Sequence, residues 1–455
     1  MGDEETHMRK WISSLFGIII YLAMVNLVFL YTDVNWNVGL KIVFTVITIV
    51  VFMIYQIRPY RKKTAGTRLN ILMGGNVLML ATCIGILIQS VYLIKRFTQS
   101  GFQSAELIAV CVCEIILTIG IGFLMAANGF IRIMMTARQL KLVWRILWIM
   151  CWWIPPVNLF ITMYVCKSAD LEYKIETAKK ELDEVRAESE ICNTRYPVLL
   201  VHGVFFRDWQ YFNYWGRIPA ELQKNGCRIY YGKHQSAAPV SKSAQEIKEQ
   251  IQKIVEETGC EKVNIIAHSK GGLDARYAID CLDAAPMVAS LTTINTPHKG
   301  CLWVDQLLEK IPKGLIDIVA LKYNAIFLRL GDKNPDFTAA VMDLTADHCC
   351  KRNQEMTDSE DVLKQSVMSL MSKARSASFP LNIGFCLVKS AEGTNDGLVS
   401  EESAKWGNYL GTLTCSGCRG ISHGDMIDLF RENISGFDVR EYYVKLVQGL
   451  KEQGL

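Results

Sequence analysis

KVNIIAHSKGGLDARY, residues 262–277, is the stretch that decides how this chain is read. Val263, Ile265, Ile266 and Ala267 run almost unbroken into Ser269, which is wedged between His268 and Lys270. Gly271 and Gly272 follow, and a helix-like stretch continues from them. A serine hydroxyl is a weak nucleophile at neutral pH, so a chain that uses one must hold its oxygen exposed beside a base. A tight strand-to-helix turn does this, and only small neighbours relieve the crowding it creates. The nucleophile-elbow pattern G-x-S-x-G is met here by Ala267, His268, Ser269, Lys270 and Gly271, with alanine as the small first residue.

On either side of this segment strands alternate with helices. PVLLV reads as a strand, EIKEQIQKIVEETG as a helix, VNIIA as a strand, GLDARYAIDCL as a helix and VASLTTIN as a strand. That order predicts a parallel sheet covered by helices on both faces.

An acyl-transfer site also needs N–H donors for the oxyanion that forms on the attacked carbonyl. The amide of Lys270 is one candidate. The second lies in LLVHGVFFRD, where a strand runs into His202 and Gly203 and the turn exposes the amide of Val204. The base and its acid should follow the serine along the chain. Of the three histidines after Ser269, only His423 comes after a further strand-and-turn unit headed by an aspartate. That residue is Asp396 in EGTNDGLVS, a turn expected at the end of a strand formed by IGFCLV. Asp396 would orient the imidazole, and His423 would take the proton from Ser269 and return it to the leaving group. Asp274, on the helix after Ser269, reads as a solvated or salt-bridged side chain.

The N-terminal third is a different material. Residues 1–165 hold 14 Lys+Arg against 6 Asp+Glu and the rest 35 against 39, so a net +8 is joined to a net −4. A formal charge of +4 argues against a nucleic-acid partner. Five apolar runs, near 11–31, 38–57, 70–94, 107–131 and 146–165, are each long enough for a hydrocarbon core of about 30 Å. They predict an uncleaved multi-span anchor. RPYRKKTAGTR (58–68) and the 132–145 loop are rich in Lys and Arg while TDVNWN has none, which places the second and fourth loops in the cytoplasm. Five spans would put everything after Val165 outside, whereas a re-entrant fifth run, broken at Pro155 and Pro156, would return it to the cytoplasm. The five-span reading is the expectation taken forward. Glu114 sits within the fourth run, where a bare carboxylate is costly.

Residues 166–194 form a charged helical linker with one apolar seam of Leu171, Ile175, Ala178, Leu182 and Val185. Its length suits a stalk or a helix lying on the next domain rather than a coiled-coil dimer, and the oligomeric state is left open. Ten cysteines lie between Cys192 and Cys418, and the C-S-G-C spacing at 415–418 reads as a close disulfide or two free thiols before it reads as a metal site.

PVLLVHGVFF, YFNYWGRIPAELQKNGCRIYY, IIAHSKGGLDARY, INTPHKG, NDGLVS and SHGDMIDLF, in this order over residues 195–450, resemble the Pseudomonas and Burkholderia type of bacterial triacylglycerol lipase. The resemblance implies an α/β-hydrolase fold over residues 195–455; the helical transmembrane region read over 1–165 departs from it, since the resembled lipases are secreted and soluble. The resemblance also implies a carboxylester hydrolase that acts on lipid esters beside the bilayer through Ser269, Asp396 and His423. Val204 and Lys270 would supply the oxyanion amides, supported by His202, Gly203, His268 and Gly271. Such lipases commonly hold a structural calcium between two aspartates. Asp425 matches one of them, but the other has no counterpart nearer than Glu392, and no cofactor is required by the chemistry. LWVDQLLEKIPKGLIDIVALKYNAIFLRL, between TPHKG and Asp343, corresponds to the lid of the family or to buried core helices. An acyltransferase or thioesterase would use the same triad. A non-catalytic hydrolase-like sensor or assembly domain is a further alternative.

Overall fold

The computed structural model describes residues 2–100, 105–204, 213–329, 331–415 and 419–455. The chain divides into two compact units, Met1–Val185 and Arg186–Leu455.

The first unit is helical: α1 (Gly2–Val25), α2 (Leu27–Thr32), α3 (Val38–Ile57), α4 (Gly66–Ser100), α5 (Ala105–Thr136), α6 (Leu142–Met150) and α7 (Pro155–Arg186). Four segments, Glu4–Val25, Val38–Ile57, Gly66–Thr98 and Ile108–Thr136, are long and apolar enough to cross a membrane. Helices α4 and α5 approach closely at Gly75 and Gly129. A Cβ at Gly75 would meet the Gly129 carbonyl oxygen at 2.8 Å, so a larger residue would force the two backbones apart. Glu114 of α5 finds a partner in Arg96 of α4, 3.4 Å away.

The fifth run does not form a single span, contrary to the sequence expectation. Helix α6 has only nine residues, about 14 Å at 1.5 Å each, roughly half a hydrocarbon core. The chain then turns through Cys151–Ile154, and the two prolines that cannot continue a helix instead begin α7. Trp148 donates to Thr162 and Trp144 stacks on Tyr164 at 4.0 Å, so α6 and the start of α7 form an antiparallel hairpin.

The hairpin returns the chain to the end where it began. There Asp170 of α7 pairs with Lys10 at 2.7 Å, and Glu181 pairs with Lys62 at 2.7 Å. The buried carboxylate of Glu172 pairs with Arg68 and accepts from the amides of Arg138 and Gln139, both at 2.9 Å. The N-terminus, the α3–α4 loop, the α5–α6 loop and the part of α7 beyond the hairpin therefore share one end of the bundle. The packed face of α7 is Val165, Ala169 and Tyr173, not the expected seam, whose Val185 is exposed. Tertiary packing recruits the aromatic residue and the carboxylates in place of the aliphatic stripe.

The second unit is a six-stranded, wholly parallel sheet in the order β2-β1-β3-β4-β5-β6. In chain order its elements are β1 (Val198–Val201), α8 (Ile218–Lys224), β2 (Ile229–Tyr231), α9 (Val240–Thr258), β3 (Val263–His268), α10 (Lys270–Cys281) and β4 (Val288–Ile294). There follow α11 (Leu302–Lys310), α12 (Lys313–Arg329), α13 (Phe337–Met342), α14 (Ala346–Glu355), β5 (Leu363–Ser369), α15 (Leu381–Ala391), α16 (Glu401–Ala404), β6 (Asn408–Leu413) and α17 (Val439–Glu452). The central strands are buried on both faces, as an unbroken apolar run requires. Val198 and Leu200 of β1 pack with Trp215, Ile218 and Tyr443, while Leu199 and Val201 pack with Ile247, Ile251 and Ile254 of α9. Each fully buried isoleucine contributes about 1.5–3 kcal/mol of transfer free energy. In register, Val201 lies beside Ala267 and Ile294 beside Val367, so the carboxyl ends of β1, β3, β4 and β5 open at one edge of the sheet. That edge carries the candidate site.

Candidate active site

Ser269 occupies the step from β3 to α10 with φ 56° and ψ −132°, a left-handed conformation unusual for a residue with a side chain. The turn is possible because its surroundings are small. A Cβ on Gly271 would lie 2.3 Å from the His202 carbonyl oxygen, and one on Gly203 would lie 2.9 Å from Ser269 Cβ. The backbone is further held by Ser269 N donating to Ile294 O at 2.9 Å and by Thr296 Oγ1 donating to Ser269 O at 2.8 Å. Among the described residues, the Ser269 hydroxyl has no hydrogen-bond partner, and neither do the amides of Val204 and Lys270. Among the described residues the Ser269 hydroxyl and these two amides are thus uncommitted, at the ends of neighbouring strands.

Asp396 is fully buried, and every bond to its carboxylate comes from a donor. Oδ1 accepts from the amides of Leu398 and Val399 at 2.9 and 2.8 Å. Oδ2 accepts from Asn295 Nδ2 and from His423 Nδ1, each at 2.6 Å. The last bond fixes the proton of His423 on Nδ1 and leaves Nε2 as the acceptor. The His423 amide donates to Asp396 O at 2.9 Å, so ring and backbone are both tied to the same residue. The ring of His423 lies 4.4 Å from that of His268, the residue before the serine. Ser269, Asp396 and His423, far apart in the chain, are gathered at one edge of the sheet. No hydrogen bond closes Ser269 Oγ onto His423; such contacts are commonly loose before substrate enters.

The remaining residues singled out from sequence have supporting positions. Gly203 cannot serve as an oxyanion donor, because its amide donates to the Tyr214 hydroxyl at 3.0 Å. That hydroxyl also shares a 2.7 Å hydrogen bond with His268 Nδ1. Burial, followed by the neighbouring His423, pushes the His268 imidazole well below the usual histidine range, so it stays neutral. His202 stacks on His234 at 3.9 Å. Lys270 buries its side chain as well as offering its amide, with Nζ 2.7 Å from Asp274 Oδ1 and 3.3 Å from Ser243 Oγ. Asp274 is therefore salt-bridged but not solvated, and burial pushes its carboxyl up to about 6.

Three elements were misread or missed. IGFCLV is part of helix α15, so Asp396 follows a helix instead of ending a strand. Its position is set by the Asn-Asp-Gly turn, in which Asn395 accepts from the Gly397 amide at 2.9 Å and Gly397 takes φ 108°. Asn295, which donates to Asp396 and to Ser369, has its only sequence signal in the NTP turn that ends β4. Tyr214 had no distinguishing signal, since its partners are fixed only by the fold.

Asp425 does not fit a calcium ion. Both of its oxygens are engaged by the Arg419 guanidinium at 2.9 and 3.0 Å, and Oδ2 also accepts from Ser422. Glu392 is likewise occupied, by the amide of Trp303 and the hydroxyl of Ser400. Calcium coordination needs oxygens free of cationic partners. The remainder of the HGVFFRD motif after Val204, and Cys418 of C-S-G-C, lie outside the described residues.

A parallel sheet in this strand order, with a left-handed serine between β3 and its helix and an aspartate–histidine pair from later loops, decides the fold. The C-terminal unit has the α/β-hydrolase fold. Residues 197–365 match the family model described as palmitoyl protein thioesterase. The chain is similar to the triacylglycerol lipase of Pseudarthrobacter phenanthrenivorans, 34% identical over 164 residues, covering 33% of this chain and 51% of that protein. The triacylglycerol lipase of Burkholderia plantarii is also 34% identical over 164 residues, covering 33% and 45%. Triacylglycerol lipase 2 of Saccharomyces cerevisiae is 28% identical over 260 residues, covering 53% and 74%. The chain thus spans about half the length of the two bacterial relatives. Among solved structures, the mature lipase BlEst2 of Bacillus licheniformis aligns with a TM-score of 0.42 at 20% identity, covering 55% of this chain and 91% of that one.

Proposed function

We propose that this chain is a membrane-anchored serine hydrolase that cleaves lipid carboxylesters through an acyl-enzyme. The carrying observation is the convergence of Ser269 at φ 56°, two amides without a partner among the described residues and a histidine whose Nδ1–H is held by a buried carboxylate. In the first half-reaction His423 Nε2 takes the Ser269 proton while Oγ bonds to the acyl carbon, and the carbonyl oxygen gains a charge stabilised by the amides of Val204 and Lys270. The tetrahedral adduct collapses as His423 returns the proton to the departing alcohol. Water then repeats the sequence and releases a carboxylic acid, regenerating the Ser269 hydroxyl. Asp396 holds the ring through its Nδ1–H and stabilises the imidazolium. No metal takes part in this scheme.

The apolar helix α12 supports a lipid substrate. Leu315, Ile318, Leu321, Ile326 and Leu328 are all exposed, so this region is not a buried core helix. An exposed apolar helix of this kind suits contact with an acyl chain or a bilayer surface.

The contacts of α7 favour the side opposite to the five-span expectation. Four spans return the chain to the side on which it starts, and the pairing of Asp170, Glu181 and Glu172 with Lys10, Lys62 and Arg68 supports that topology. Those cations belong to segments whose Lys and Arg content favours the cytoplasm. A cytoplasmic hydrolase is the reading these contacts support.

A second reading is favoured by the family match over residues 197–365: a thioester offers the same acyl carbon with a thiol as leaving group. The deciding assay compares full-length wild type and Ser269→Ala in detergent on nitrophenyl esters of increasing chain length and on acyl thioesters. Equal turnover by both proteins sinks the serine mechanism. A preference for thioesters over esters of matched chain selects the second reading.

A further inference from the structure

We infer that the cleft between α1 and α3 binds an anionic glycerophospholipid, with its acyl chain between the helices and its phosphate against Arg58 and Arg61. The cleft has a volume of about 510 Å³, within the roughly 300–1,000 Å³ of ligand-sized sites. Ile12 and Phe16 of α1 and Val51 and Ile54 of α3 form its apolar walls, and Arg58 and Arg61 lie at one end. Its floor is closed by Tyr55, whose hydroxyl donates to Ser13 O at 2.9 Å and so bridges the two helices. Gly17 permits this, since a Cβ there would meet the Tyr55 hydroxyl at 2.2 Å.

Charge identifies the occupant. At the same end of the bundle Lys10, Lys62 and Arg68 each have a carboxylate partner, and Arg9 has Glu5. Arg58 and Arg61 are exposed, and among the described residues neither makes an ion pair or hydrogen bond through its side chain. Two guanidiniums without counter-charge above an apolar slot match a molecule that is acidic at one end and hydrocarbon at the other. In a bilayer that molecule is an anionic lipid of the cytoplasmic leaflet, whose phosphate a guanidinium can engage bidentately. A zwitterionic lipid carries its own cation and would leave the two arginines uncompensated.

This inference takes the four long helices to be membrane-spanning and is independent of the hydrolase chemistry. Carbonate extraction of membranes tests the first, and activity of Ser269→Ala tests the second. The inference itself is read by native mass spectrometry of the full-length protein from micelles containing equal phosphatidylglycerol and phosphatidylcholine. Wild type should retain phosphatidylglycerol with about a tenfold preference, the effect expected of one to two basic side chains at a membrane surface. Arg58→Ala with Arg61→Ala should abolish the preference, Arg58→Lys with Arg61→Lys should restore most of it, and Lys63→Ala should leave it intact. Equal retention of the two lipids by wild type, an unchanged preference in the double alanine variant, or displacement of the lipid by inorganic phosphate would each overturn it.

Discussion

At the residue scale, the candidate site is organised around Asp396. Asp396 is saturated by four donors besides its own backbone contacts, so its only adjustable function is to hold His423. Asp396→Asn should lower kcat by about 10⁴-fold with KM little changed, because the wrong imidazole tautomer leaves binding intact; steady-state kinetics on a soluble ester would measure it. Tyr214→Phe removes the acceptor of the Gly203 amide and the partner of His268. Its expected cost is about 1–3 kcal/mol of stability, from a buried donor left unsatisfied, read from urea unfolding. The Lys270–Asp274 pair is fully buried, so Asp274→Asn strands an ammonium and should destabilise by about 3–5 kcal/mol. The elbow, Ser269, Asp396 and His423 were legible because a nucleophile, its acid and its base impose residue type and order. Asn295 and Tyr214 were not, because a supporting amide or phenol can arrive from any loop that folding brings near.

At the scale of elements, the two histidines beside β3 and β4 set the response to acid. Burial holds the imidazoles of His268 and His298 well below the usual range, with Arg276 adding to the effect at His298. Below about pH 6.5 the unfolded rings bind protons that the native rings exclude, so stability falls as pH falls. Each excluded proton contributes a slope of about 1.4 kcal/mol per pH unit. Asp274, pushed up to about 6, acts in the opposite sense between its unfolded and folded values and leaves a net slope near one proton below that pH. The urea midpoint should therefore drop between pH 7.5 and 5.5, and His298→Phe should flatten the drop. A rising midpoint on acidification would contradict the burial of these rings. On α12, Leu321→Asp should reduce activity on long-chain esters while sparing short ones, since Leu321 is 72% exposed. The helical content of this segment was clear from its spacing. Its exposure was not, since an apolar helix reads alike whether its neighbours are protein or solvent.

For the whole molecule, the decisive feature is the α6–α7 hairpin, which stands where a single fifth long helix was expected. The thiols of Cys350 and Cys386 are exposed on the hydrolase unit and report its side of the membrane. A membrane-impermeant maleimide should label them only after cell lysis; labelling in intact cells would restore the five-span topology. Sequence alone determined the division into a basic apolar third and a parallel α/β unit, and it singled out the serine, aspartate and histidine that the fold brings to one edge of the sheet. Hydropathy, strand–helix alternation and the demands of acyl chemistry are written locally or in fixed order. Tertiary structure decided which apolar run forms one long helix, which carboxylate pairs with which cation, and which amides lack a partner among the described residues. These outcomes depend on groups distant in the chain competing for the same partners, and only the folded arrangement resolves that competition.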